Sequence, residues 1–173
     1  LVASKADGSQ FACYTIDGRL LLWRAEANQQ PWQFQDQFFG TFEYSPNNSR
    51  LAIATNESIR LFEPLTGKEL DPILADARVV DLDWSLDETQ MVYCQDDGSL
   101  RVHVVQGNRV QKELPMEGSA TCVAFVNEQE IVVGDKAGVV RRWNGSEFRL
   151  IQEMEAPITD IDVTANYLAI AAG

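Results

Sequence analysis

The sequence has little of the chemistry that enzymes and metal sites use. It contains one histidine and three cysteines with no Cys-x-x-Cys pair, so a four-ligand zinc site would have to be assembled from isolated residues. The glycine-rich phosphate loops Gly-x-x-x-x-Gly-Lys and Gly-x-Gly-x-x-Gly do not occur, nor does the Gly-x-Ser-x-Gly elbow of hydrolases. We therefore expect no catalytic site, no bound metal and no cofactor.

Basic residues are also scarce. The 173 residues include 14 Lys and Arg against 26 Asp and Glu, which gives a formal net charge of −12. Binding to duplex nucleic acid needs a basic face that neutralises phosphates, so this balance argues against that function. No apolar run approaches the ~18–20 residues that a membrane-spanning helix requires. Hydrophobic residues nevertheless make up 45% of the chain, which is enough for a sizeable core.

The three cysteines are too few and too scattered for a disulfide framework. Cys13, Cys94 and Cys122 each lie inside an apolar run, and an odd number cannot pair completely. This pattern predicts buried, reduced thiols and hence a reducing compartment. We therefore expect an intracellular location, cytoplasmic or nuclear.

What the sequence does contain is a repeat of about forty residues. Apolar segments begin at residues 11, 51, 91 and 131, and a second set of segments ends at residues 23, 62, 103 and 143. Within each period the apolar residues alternate with polar ones, as strands require, and Asp-Gly or Asn-Gly pairs mark hairpin turns. We predict one all-β domain over 1–173, made of repeats at about 1–35, 36–75, 76–115, 116–153 and an incomplete 154–173. Residues 25–36, which are rich in Gln and Asn, are predicted to form a loop beside an outer strand with Trp32 packed locally. The alternative is a projecting segment that contacts a partner.

Small antiparallel sheets of this kind cannot bury both faces alone. Packing similar sheets face to face around an axis solves that problem, and the result is a β-propeller. We therefore predict a propeller arc of about four to four and a half four-stranded antiparallel blades. A ring of about seven such repeats needs roughly 280 residues, so we expect an incomplete ring, with the remaining blades in a longer chain or in a partner chain.

The segment Thr15-Ile16-Asp17-Gly18, followed by Trp23, resembles the WD-repeat family, and the resemblance covers essentially the whole chain. It implies that a Ser or Thr, the turn acid and the closing aromatic residue stiffen each blade. The closing residue is expected to fill the space between blades, with a packed imidazole in place of Trp in the third repeat. The corresponding positions in the other repeats are Thr55, Glu57 and Phe62; Asp97 and His103; and Trp143. The family's Gly-His and Trp-Asp dipeptides are absent, which indicates a divergent member.

The resemblance implies a non-catalytic scaffold that binds other proteins within a larger complex. Acidic turns and links between repeats are expected to form a rim that attracts basic peptides or basic protein surfaces. The alternative is a solvated surface kept acidic for solubility. The candidate partner-binding residues are Asp36, Asp76, Arg78, Asp96, Glu117, Asp135 and Glu155.

Paired carboxylates support a second hypothesis. Asp81 and Asp83 occupy the same places in one repeat as Asp160 and Asp162 occupy in another. A metal-dependent hydrolase-type propeller would use channel carboxylates such as Asp81 and Asp160 with a divalent metal. Because the positions recur, we favour a structural role for them over a catalytic one.

Overall fold

The computed structural model describes residues 2–5, 8–15, 19–24, 32–35, 38–107, 109–164 and 166–173. In these ranges the chain forms eighteen β-strands, grouped into four four-stranded antiparallel sheets and one two-stranded sheet. No helix in the described part of the chain has the length and apolar character needed to cross a membrane. We call each sheet a blade and number the blades in chain order.

The strands of each blade follow one another along the chain and in the sheet. Blade 1 contains β1 (Val2–Ser4), β2 (Gln10–Tyr14), β3 (Arg19–Arg24) and β4 (Trp32–Gln35). Blade 2 contains β5 (Phe38–Tyr44), β6 (Leu51–Thr55), β7 (Ser58–Phe62) and β8 (Glu69–Leu74). Blade 3 contains β9 (Val79–Trp84), β10 (Gln90–Gln95), β11 (Leu100–Val104) and β12 (Arg109–Leu114). Blade 4 contains β13 (Ala120–Phe125), β14 (Ile131–Asp135), β15 (Val139–Trp143) and β16 (Phe148–Glu153). Blade 5 contains β17 (Ile158–Val163) and β18 (Leu168–Ala172).

Burial falls from the second strand of a blade to its outer strand. All five residues of β6 and all five of β14 are buried, because neighbouring blades cover both faces of these sheets. The outer strand β12, in contrast, is exposed along five of its six residues. Alternating burial appears in the third strand β7, where Ile59 and Leu61 are buried and Ser58 and Arg60 are half-buried.

The core lies between blades rather than within them. One buried cluster joins blades 1 and 2, with Leu20 and Leu22 packed near Phe62. Similar clusters join blades 2 and 3, blades 3 and 4, and blades 4 and 5. Face-to-face sheets in series confirm the predicted fold class, an all-β propeller arc that is not closed.

The inner strands β5, β9, β13 and β17 surround a cavity of about 940 Å³, which we call the channel. Antiparallel order then defines two rims. At the start rim, where inner strands begin, lie the links between blades and the turns between second and third strands. At the end rim, where inner strands finish, lie the turns between first and second strands and between third and fourth strands.

Part of the predicted loop at residues 25–36 is a strand. The backbone of β4 pairs with β3, and Trp32 lies opposite Leu22 in the register. Residues 25–31 and Asp36 lie outside the described residues, as does the turn acid Asp17.

Candidate functional site

The described candidate partner-binding residues all lie on the start rim, and most of them face solvent. Asp76 and Arg78 precede β9, Asp96 follows β10, and the remaining exposed acids precede β13 and β17. The exposed members are Asp76, Arg78, Asp96, Glu117 and Glu155.

Ion pairs divide these rim acids into two groups. Asp76 lies 2.9 Å from Nη1 of Arg101, and Asp96 lies 3.3 Å from Nε of Arg78. Among the described residues, Glu117 and Glu155 form no ion pair. Of the exposed candidate acids, these two are therefore the ones that no described cation neutralises.

Asp135 presents no surface to a partner. It is 1% exposed, and its Oδ1 accepts hydrogen bonds from the backbone N–H groups of Ala137 and Val139, both at 2.9 Å. Its Oδ2 accepts a bond of 2.7 Å from Nη1 of Arg141. The carboxylate is thus fully used inside blade 4, which removes Asp135 from the exposed rim where the sequence placed it.

Asp135 belongs to a position that recurs in every four-stranded blade, at residues 15, 55, 95 and 135. Thr15 accepts from Arg19 N–H at 3.1 Å, and Thr55 accepts from Ser58 N–H at 3.1 Å. The other two members use longer side chains: Gln95 accepts from Ser99 Oγ at 3.0 Å, and Asp135 holds its turn as described above. Each side chain closes the turn after its second strand, and we call these four residues the turn clasps.

The turn acids themselves face solvent. Glu57 and Asp97 are exposed, and Asp97 accepts from the N–H of Ser99 at 2.9 Å. Hydrogen bonds from Ser99 to the carboxylate hold the pKa of Asp97 below its usual value.

The closing residues occupy a common place but differ in burial. Phe62 is 0% exposed and Trp143 is 6% exposed, each inside a cluster between blades. His103 is also buried and pairs in register with buried Met91. Trp23 is 38% exposed beside its register partner Phe11, because no described blade packs against that face of blade 1.

Trp143 carries contacts from two blades. Its ring lies 5.0 Å from that of Phe148 in its own blade, centroid to centroid. From blade 3, Nζ of Lys112 lies 4.2 Å from the Trp143 ring centroid, a cation–π distance. The side chain therefore contacts residues of two blades.

The channel carboxylates bind backbone of the next blade. Asp81 Oδ2 accepts from Val123 N–H at 2.9 Å, and Asp83 Oδ2 accepts from Phe125 N–H at 2.6 Å. The donors lie on β13, whose channel-facing edge has no strand beside it in the sheet. These aspartates thus satisfy backbone N–H groups that an edge strand would otherwise leave open.

Burial raises the pKa of both aspartates against the lowering effect of these bonds. The pKa of Asp81 is about 7 and that of Asp83 about 6, with neighbouring carboxylates adding to the rise. Glu43, which the sequence reasoning missed, faces them from β5, and burial raises its pKa well above the usual value. The sequence contains a pattern that points to Glu43, because Glu43, Asp83 and Asp162 each directly precede the last residue of an inner strand.

The described residues contain no group of three or more His, Cys, Asp or Glu placed to hold a metal ion. Asp81 and Asp83 each use Oδ2 to accept a backbone N–H of β13. Asp160 and Asp162 lie on β17 and line the same channel, but both are exposed. The arrangement fits a structural role better than a metal centre.

Four-stranded blades stacked around a channel define the molecule as part of a β-propeller. No family model matches the sequence. The chain is similar to the Target of rapamycin complex subunit LST8 of Mus musculus and of Bos taurus, each 25% identical over 167 residues. The matches cover 88% of this chain and 51% of each relative, so the chain spans about half the length of the curated relatives it matches. The repeated sheets and the clasped turns, together with this similarity, fit a divergent WD-repeat propeller.

Proposed function

We propose that the chain is a non-catalytic protein-interaction scaffold and a subunit of a protein complex. The observation that carries the proposal is the similarity to relatives that are named as subunits of a complex. The architecture supports it, because blades locked by inter-blade cores present turns at fixed positions. The proposal includes an intracellular location, since Cys94 and Cys122 are buried free thiols.

The partner surface in this proposal is the start rim, and its partner is a basic peptide or a basic protein surface. Glu117 and Glu155 are exposed on links that precede neighbouring inner strands, and neither carboxylate is neutralised by a described ion pair. Arg78 lies on the same rim, but Asp96 pairs with it. Charge complementarity would therefore favour cationic side chains near the two glutamates.

The hydrolase alternative receives less support from the geometry. Its principal candidate, Asp81, has a backbone partner in β13, and the same holds for Asp83. A catalytic carboxylate must keep an oxygen for substrate, water or metal. Two carboxylates already engaged in joining blades are better suited to stabilising the arc.

Binding of a lysine-rich peptide tests the acidic rim. Replacing Glu117 and Glu155 by Gln removes two charges, each worth roughly 0.2–1 kcal/mol in an exposed pair. We expect the dissociation constant, measured by fluorescence anisotropy at low salt, to rise about two- to thirtyfold. The matched control replaces Glu128 and Glu147, which are exposed on the end rim, by Gln and changes the net charge equally.

Equal weakening in the two double variants would show that net charge, and not the start rim, governs binding.

Affinity purification of the full-length protein addresses the broader proposal. A scaffold should retain stoichiometric protein partners through purification. Hydrolytic turnover lost on Asp81→Asn, with no retained partner, would overturn the scaffold role.

A further inference from the structure

Carboxyl groups on the inner strands connect three successive blades. Glu43 of blade 2 is hydrogen-bonded to Asp83 of blade 3. Asp83 in turn accepts the N–H of Phe125 in blade 4 at 2.6 Å, and its other oxygen accepts the N–H of Trp84 at 2.7 Å. The Asp83 carboxylate therefore takes part in hydrogen bonds across two interfaces, one between blades 2 and 3 and one between blades 3 and 4.

A bond between two carboxyl groups requires a proton on one of them. Asp83 already accepts from two N–H groups, an arrangement that favours its ionised form, so the shared proton belongs to Glu43. We propose that the Glu43–Asp83 pair is a proton-dependent joint between blades 2 and 3. When Glu43 carries the proton, its hydrogen bond to Asp83 joins blades 2 and 3 at the channel. When that proton is lost, the two adjacent carboxylates repel each other and weaken the contact between the blades.

The surroundings of the pair offer no compensating positive charge. From β9 comes Asp81, and from β17 come Asp160 and Asp162 across the channel. The channel residues of β13 are apolar, and β1 and β6, which pack against β5, contain no titratable residue. The thiols of Cys94 and Cys122 lie near Asp81 and have pKa values raised by burial, so they are neutral. Among the described residues that line the channel there is no Lys, Arg or His.

These surroundings set the direction of the pH dependence. Burial, followed by the charges of Asp83 and Asp81, raises the pKa of Glu43 well above its usual value of 4.5. A group with a raised folded pKa binds a proton that the unfolded chain has released, so folding is favoured at low pH. The stabilisation is complete below the ordinary carboxyl pKa values and is lost as pH rises through the raised folded pKa values, about 6 for Asp83 and well above 4.5 for Glu43.

Unfolding of the 173-residue chain in urea, measured from pH 5 to pH 8, tests the joint. The equilibrium constant for unfolding should rise with pH, by up to tenfold per pH unit for each proton that the folded state loses. Glu43→Gln replaces the shared proton by an amide N–H that does not titrate, and it should reduce this dependence by about one proton. Glu57→Gln makes the same chemical change at an exposed turn of the same blade and should leave the dependence as in the wild type.

A carbon-13 NMR titration of the Glu43 side-chain carboxyl in the wild type gives a second measurement that needs no variant. A midpoint clearly above the ordinary glutamate value supports the joint, even if Glu43→Gln fails to fold. A midpoint near 4.5, or a Glu43→Gln variant with the full wild-type pH dependence, would overturn it.

Discussion

Removal of the Asp135 carboxylate is expected to destabilise the fold rather than to weaken partner binding alone. Asp135→Ala leaves the N–H groups of Ala137 and Val139 and the guanidinium of Arg141 without their acceptor. A buried donor left unsatisfied costs about 1–3 kcal/mol, and breaking a buried ion pair costs about 3–5 kcal/mol. One carboxylate serves all three partners and the Arg141 side chain is 21% exposed, so these costs overlap. We expect a loss of about 3–4 kcal/mol.

Thermal unfolding resolves a change of this size. For a protein of this length each kcal/mol corresponds to roughly 2–4 °C, so Asp135→Ala should lower Tm by about 6–16 °C. Asp135→Asn keeps an oxygen for both N–H groups but turns an amide toward Arg141, and should cost about 1–3 kcal/mol. The control, Asp97→Asn, alters an exposed turn acid and should cost less than about 1 kcal/mol.

A free energy of unfolding for Asp135→Ala within about 1 kcal/mol of the wild type would contradict a structural role for this carboxylate. Equal stability of the Ala and Asn variants would do the same, because the turn clasp would then contribute nothing through its N–H bonds. Weaker peptide binding with unchanged stability would assign Asp135 to the partner surface instead.

Two further predictions use matched pairs within the chain. Gly138 and Gly107 both have positive φ, 84° and 96°, respectively. A Cβ on Gly138 would collide with the carbonyl oxygen of Met154, whereas a Cβ on Gly107 would meet nothing within 4 Å. In urea unfolding, Gly107→Ala should therefore lower the free energy of unfolding by about 1–2 kcal/mol, and Gly138→Ala by clearly more. Phe62→Ala should cost about 3–5 kcal/mol, whereas Trp23→Ala at the same blade position should cost less than about half of that, because Trp23 is 38% exposed. Equal losses within either pair would contradict the packing described for it.

The repeat made the fold predictable from sequence. Two sets of segments with the same spacing of about forty residues indicate where strands begin and end, and a propeller is the arrangement that buries both faces of such sheets. The strand β4 was missed, although Trp32-Gln33-Phe34-Gln35 alternates as a strand should. The surrounding Gln and Asn residues favoured a loop prediction, because an alternation over only four residues is a weak indication of a strand.

The candidate site was less predictable, because a residue's role depends on which way its side chain points. Asp135 was assigned to the rim as one acid among several, yet its spacing of 40 from Gln95 places it among the turn clasps. The sequence places Asp81 and Asp83 at a recurring position, but nothing in it shows that their partners are backbone groups of β13. Contacts across a seam of this kind appear only when neighbouring blades are placed in space.

The bonds at the inner strands give the arc a polarity. In blade 3 the side chains of Asp81 and Asp83 bind backbone of blade 4, and in blade 4 the hydroxyl of Thr121 donates to the carbonyl oxygen of Ile158 in blade 5 at 2.6 Å. The earlier blade supplies the side chain each time, and the later blade supplies the backbone. Such head-to-tail contacts are heterologous, so a two-fold dimer cannot reuse them. A further blade that joins through the same hydrogen bonds must therefore have the same orientation as the others. The direction of the arc is thus determined by these bonds between blades as well as by chain connectivity.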